Sequence, residues 1–127
     1  MDYPILNKAP NVAQAVVPHR LDSGGNAVPA GGTAYETVAA SQTDQAIGVS
    51  GAVGDYLAGV LIVPATTGAG TVSIKDGGGS AITVFTGGGT LSDLRPFFVP
   101  MGAISVSGAL KVTTGANVSA VAFGAFT

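Results

Sequence analysis

The residues able to carry chemistry are few and scattered. His19 is the single imidazole in 127 residues, and it stands in a proline-rich stretch. Acyl transfer needs a nucleophile, a base and an orienting group that converge, so an exposed or interface histidine is expected there rather than a general base. Gly48-Val49-Ser50-Gly51-Ala52 resembles a nucleophile elbow, but alanine takes the last glycine position and no strand, turn and helix context follows. Asp44, Asp55, Asp76 and Asp93 all fall at expected turns, where aspartate is favoured because its carboxylate bonds the local backbone. The chain has no cysteine, which excludes disulfides and thiolate metal sites. One histidine and dispersed aspartates make a poor metal centre, with a calcium ion held by turn carbonyls the one metal reading left open. No catalytic residue, metal ligand or cofactor is assigned.

Glycine runs invite a phosphate reading, because backbone N–H groups in such loops can cradle anions. Gly77-Gly78-Gly79, Gly87-Gly88-Gly89 and Gly68-Ala69-Gly70 are instead followed by strand-type residues, without the Lys-Ser/Thr pair and helix start of a P-loop. Turns and close backbone approaches explain them.

The elements that must position any site are strands. Gly, Ala, Val, Thr and Ser make up more than half of the chain, and no stretch sustains a helical apolar period without an early Gly or Pro. From Thr33 onward, strand-type runs alternate with turn signals at sandwich or barrel spacing. The expected strands are Tyr35 to Ala40, Ala46 to Ser50, Tyr56 to Val63, Thr71 to Lys75, Ala81 to Thr86, Leu94 to Val99, Ala103 to Val106, Ala109 to Thr113 and Val118 to Phe126. Tyr56 to Val63 lacks alternation and should be central. Asp76 to Ser80 should turn a hairpin. Pro96 weakens the strand that Pro100 is expected to end.

Composition also excludes classes of function. Five Lys and Arg against seven Asp and Glu give a net charge of −2, without the basic cluster that nucleic acid requires. No segment is long and apolar enough for a membrane helix, and Met1-Asp2-Tyr3-Pro4 does not begin a signal peptide, so synthesis in the cytosol is expected. Only 9% of residues are charged while 46% are hydrophobic, against about 25% charged in an ordinary chain. Much of the surface is therefore expected to be covered by protein. The run Val118 to Phe123, uncharged and β-prone, must be central in a sheet or buried in an interface.

Residues 1 to 32 carry Pro4, Pro10, Pro18 and Pro29 and read as an extended arm with at most edge pairing, the competing reading being a disordered terminus. Tyr3, Ile5, Leu6, Val16 and Val17 are its apolar anchors and candidate contacts with another subunit or a capsid. Phe85, Phe123 and Phe126 are expected in the core. Phe97 and Phe98 must point to opposite faces of a strand, so one of them is expected at a subunit contact.

Three stretches, Tyr35 to Gln45, Gly54 to Pro64 and Pro96 to Pro100, resemble the small capsid decoration, or cement, proteins encoded beside capsid genes in tailed bacteriophages and prophages. The resemblance covers roughly Tyr35 to Thr127 and leaves the arm unassigned. It implies an all-β domain, a β-sandwich or jelly roll, preceded by the extended arm. It further implies a homotrimer on the virion surface whose partners are itself and the major capsid protein, with no enzymatic residues. Two other readings are weighed beside it: a receptor-binding or carbohydrate-binding module of a head fibre or tail, and a hydrolase with an unusual site.

Overall fold

A computed structural model of the chain describes residues 19–21, 24–29, 34–87 and 94–127. The contact candidates Tyr3, Ile5, Leu6, Val16 and Val17, and the turn residue Asp93, lie outside the described residues. Among those described there are ten strands and no helix. Within the segment read as an arm, β1 (His19–Leu21) and β2 (Ala27–Pro29) form an antiparallel ribbon that sets His19 opposite Pro29.

The body is a sandwich of two four-stranded antiparallel sheets. The first runs in the order β3 (Ala34–Val38), β10 (Val118–Ala125), β5 (Tyr56–Pro64), β8 (Phe97–Ile104). The second runs β4 (Gln45–Ala46), β9 (Leu110–Thr114), β6 (Val72–Asp76), β7 (Ile82–Phe85). Strand β3 pairs with β10, β4 with β9, β5 with β8 and β6 with β7. The chain is thus one long hairpin, turned at Asp76 to Ser80 and wrapped on itself, with β10 beside β5 and β9 beside β6 closing the two sheets. That is the strand order of a jelly roll.

The core is built of β-branched and small residues that alternate along the inner strands. Val60 and Ile62 of β5, Val72 of β6, Val112 of β9, and Val118 and Ala122 of β10 are fully buried. Val84, Phe85, Val99, Met101 and Phe126 pack at its margin. Strand β5 is central, as its composition requires, with one face in the core and the other half-buried. Strand β10 is also central. Its uncharged run finds backbone partners on both sides within the chain, so the tail by itself demands no external partner.

Three expectations are corrected. Of the run Ala46 to Ser50 only Ala46 pairs as strand, together with the preceding Gln45, because Gly48 and Gly51 take φ of 92° and 62° and turn the backbone out of the sheet. Strand β8 runs through Pro100 to Ile104 instead of ending there, since on an edge strand a proline costs no ladder bond when its nitrogen faces outward. Phe123 lies on the outer face of its sheet, not in the core, for reasons of register given below.

Polar ties hold the loops. Thr114, buried, donates from its hydroxyl to the Ala39 carbonyl and accepts the Gln42 N–H at 3.0 Å, pinning the corner between β3 and β4. Asp55, 1% exposed, accepts from the N–H of Ala52 (3.0 Å), the N–H of Thr127 (3.2 Å) and the Thr127 hydroxyl (2.9 Å). The main-chain oxygen of Thr127 in turn accepts from Ser50 and Gly51. Removing this carboxylate leaves buried donors without an acceptor, so Asp55→Ala is expected to lower stability by about 2 to 4 kcal/mol. Urea denaturation should show a lower midpoint with an unchanged slope, and Asp55→Asn, which keeps an acceptor, should cost less.

Candidate interaction surface

The register of β10 decides what the first sheet shows to the outside. Val118, Ala120 and Ala122 point inward and are buried, so Ser119, Val121 and Phe123 point outward. Across the outer face, Phe123 stands opposite Tyr35 on one side and Gly59 on the other, and Val121 stands between Thr37 and Leu61. Ser119 stands opposite Val63.

Three rings form a ridge across this face. The Tyr35 and Phe123 centroids are 6.2 Å apart, and those of Phe123 and Phe98 are 6.1 Å apart. Phe98 pairs through its backbone with Leu61, but its ring leans over Gly59. A Cβ at Gly59 would overlap that ring and come within 2.7 Å of the Val99 carbonyl oxygen, so the ridge requires glycine here. The ridge stays accessible, with Tyr35 70% and Phe98 48% exposed. Phe97 takes the other face of β8 and meets Phe85, ring centroids 5.6 Å apart, across the gap between the sheets. The two phenylalanines therefore point to opposite faces, and Phe98 is the outward one.

The outer face of the second sheet is the reverse in character. Ser73 stands opposite Thr113 and Lys75 opposite Lys111. Asp44, at the start of β4, bonds Lys75 at 3.0 Å and the Thr113 hydroxyl at 3.2 Å, offsetting the repulsion of two neighbouring ammonium groups. One face is polar and charged, and the other carries no charged side chain between its strand ends. Three of the four edge strands of the sandwich are blunted, β8 by Pro100 and the left-handed Gly102 (φ 64°) and β4 and β7 by their shortness. A smaller apolar patch occupies the loops between β4 and β5 and between β8 and β9, where Val49, Val53 and Val106 are exposed.

The residues read as possible chemistry are not brought together. Gly48 to Ala52 is a loop holding Thr127, and Asp55 is spent on the same contact. Asp76 ends β6 and accepts the N–H groups of Val106 (2.9 Å) and Ser107 (3.1 Å). Among the described residues no group of three metal-ligating side chains occurs. Sequence reasoning found Phe98 but missed Tyr35 and Phe123 as its partners. Strand parity alone places Tyr35 and Thr37 on one face, yet which face is outward depends on pairing with β10.

Hydrogen bonds from Val106 and Ser107 hold the Asp76 carboxyl below its ordinary pKa, and the Lys75 ammonium, with Thr113, does the same for Asp44. A carboxylate depressed in the folded state stabilises it above the ordinary carboxylate pKa, and that contribution is lost as pH falls through the depressed value. The urea midpoint is therefore expected to be flat near neutrality and to fall below about pH 4. Asp76→Asn should reduce that acid slope at any ionic strength, whereas the Asp44 share should shrink in high salt because an exposed ion pair is screened.

No protein-family model, curated protein or solved structure matches this chain.

Proposed function

We propose that this chain is a structural virion protein, a capsid decoration subunit that binds the outer surface of a phage head and stabilises contacts between capsomers. The observation that carries the reading is the two-faced sandwich, with Tyr35, Phe98 and Phe123 accessible on an uncharged sheet face opposite a face bearing Lys75 and Lys111. Such a face is costly to leave in water and inexpensive to bury against protein. The three stretches that carry the resemblance to cement proteins fall largely on β3, β5 and β8, the partners of β10 and the strands that build this face. A shell under outward pressure is strengthened by many subunits that each cover a junction, and the work is done by packing. No catalytic role enters the reading.

Exposed rings on one sheet face are also what a carbohydrate-binding module would offer. Here Tyr35 is tilted against Phe123 by 41° and Phe98 meets Phe123 edge-on at 64°, so the three do not form a coplanar platform for sugar rings. Among the described residues of this face, Thr37 and Ser119 bring aliphatic hydroxyls beside the ridge. This arrangement favours protein as the partner.

Purified full-length chain is expected to co-sediment to saturation with expanded heads lacking their decoration protein. Phe98→Asp should weaken that binding by roughly thirtyfold or more, as expected for a central aromatic anchor. Lys111→Ser on the opposite face should leave it within about twofold. Absence of binding to any head, together with a specific hit on a glycan array lost in Phe98→Asp, would replace this reading with the carbohydrate one.

A further inference from the structure

We propose that the β1–β2 ribbon is a strap that closes over the open edge of β3 in the same chain, extending the first sheet to six strands in the order β1, β2, β3, β10, β5, β8. The inference does not rest on what the outer face of that sheet binds. Two observations lead to it. Of the four edge strands of the sandwich, β3 is the one left unblunted, since its five residues hold no proline and no left-handed glycine. The ribbon that precedes it in the chain joins neither sheet, and two strands alone are marginal in water.

Backbone parity fits the two together. The Thr37 carbonyl accepts from Gln45 Nε2 at 3.3 Å, so it points away from β10. In an antiparallel ladder both polar groups of a residue point the same way and alternate residues agree. The N–H of Thr37 and the N–H and C=O of Tyr35 therefore also point off the edge. On the ribbon, Pro29 has no N–H and cannot complete a bonded pair with His19, so Arg20 and Val28 exchange the bonds and Ala27 turns its N–H and C=O to the free side. The connection from Ala30 to Ala34, which contains Gly31-Gly32, has the length of a five-residue hairpin loop. Such a hairpin sets Pro29 opposite Tyr35 and Ala27 opposite Thr37. Ala27 and Thr37 then exchange two bonds, the Thr37 carbonyl using its second lone pair, and the Tyr35 N–H donates to the Pro29 carbonyl.

Side chains agree with this register. Leu21 is 66% exposed and stands opposite Ala27, which is exposed as well. Closure places Leu21, Ala27, Thr37, Val121 and Leu61 in one row, so the strap continues the uncharged outer face by two strands.

Amide hydrogen exchange on the full chain, read residue by residue by NMR, tests the strap. Tyr35 and Thr37 are expected to exchange at least roughly tenfold more slowly than in Val28→Pro, in which the ribbon loses the N–H that bonds Arg20. Amides of β10 should be unchanged, showing that the sandwich stays folded. Equal rates at Tyr35 and Thr37 in the two chains would overturn the inference. A second measurement does not depend on the proline variant. Because the chain has no native cysteine, Ala27→Cys with Thr37→Cys isolates the contact, and a bonded antiparallel pair about 5.5 Å apart at Cα is within disulfide reach. Mild oxidation is expected to give an intrachain disulfide in a protein of monomer mass, whereas Ala27→Cys with Ser73→Cys, on the other sheet, should give none. Disulfides only between chains, no disulfide, or equal rates with Ser73→Cys would contradict the strap.

Discussion

The pairing of Val118–Ala125 between Ala34–Val38 and Tyr56–Pro64 is the constraint on which the rest of the molecule depends. This strand is uncharged throughout, and at a free edge it would be a template for aggregation. Placed centrally, its backbone is satisfied on both sides. The same pairing fixes parity: Val118, Ala120 and Ala122 enter the core, so Phe123 and Val121 must leave it. A slip of one residue would send Phe123 inward among the small core residues and expose the valine and alanines. The aromatic ridge is thus a consequence of core packing in the strand that holds the sheet together.

Much of this architecture was legible in the sequence. Runs of Val, Ile and Thr bounded by glycine located most strands, the apolar run Tyr56 to Val63 announced a central strand, and Asp76 to Ser80 announced the hairpin. Of the aspartates expected at turns, Asp44, Asp55 and Asp76 sit in connections or at a strand end, although Asp55 and Asp76 reach across to other strand ends. Where local reading failed, a long-range contact decided. Phe123 looks like core because it sits among alanines and valines, and only the pairing with Tyr35 and Gly59 shows its direction. Pro100 looks like a strand end because its tolerance depends on which strand is an edge. Ser50 looks like strand, yet its N–H serves Thr127, 77 positions away in the sequence.

The low charge of the chain also takes on a specific meaning. Apart from Arg20 in β1 and Glu36 in β3, its described charges lie in loops, at strand ends and on the face of the second sheet, where Asp44 sits between Lys75 and Lys111. The outer face of the first sheet is left without them. A sandwich that merely needed solubility would alternate polar residues on both outer faces. Here the alternation holds on one face, while the other alternates core residues with rings and aliphatic side chains. Glycine at position 59 belongs to the same pattern, since it gives up a side chain so that the Phe98 ring can lean over it and meet Phe123 edge-on.

The most direct measurement is a cryo-electron microscopy map of heads carrying this chain, at a resolution that shows aromatic side chains. The account predicts the sandwich on the exterior of the shell, with Tyr35, Phe98 and Phe123 buried against protein and Lys75 and Lys111 turned to solvent. A map in which the lysine face makes the contacts and the three rings stand in water would contradict it.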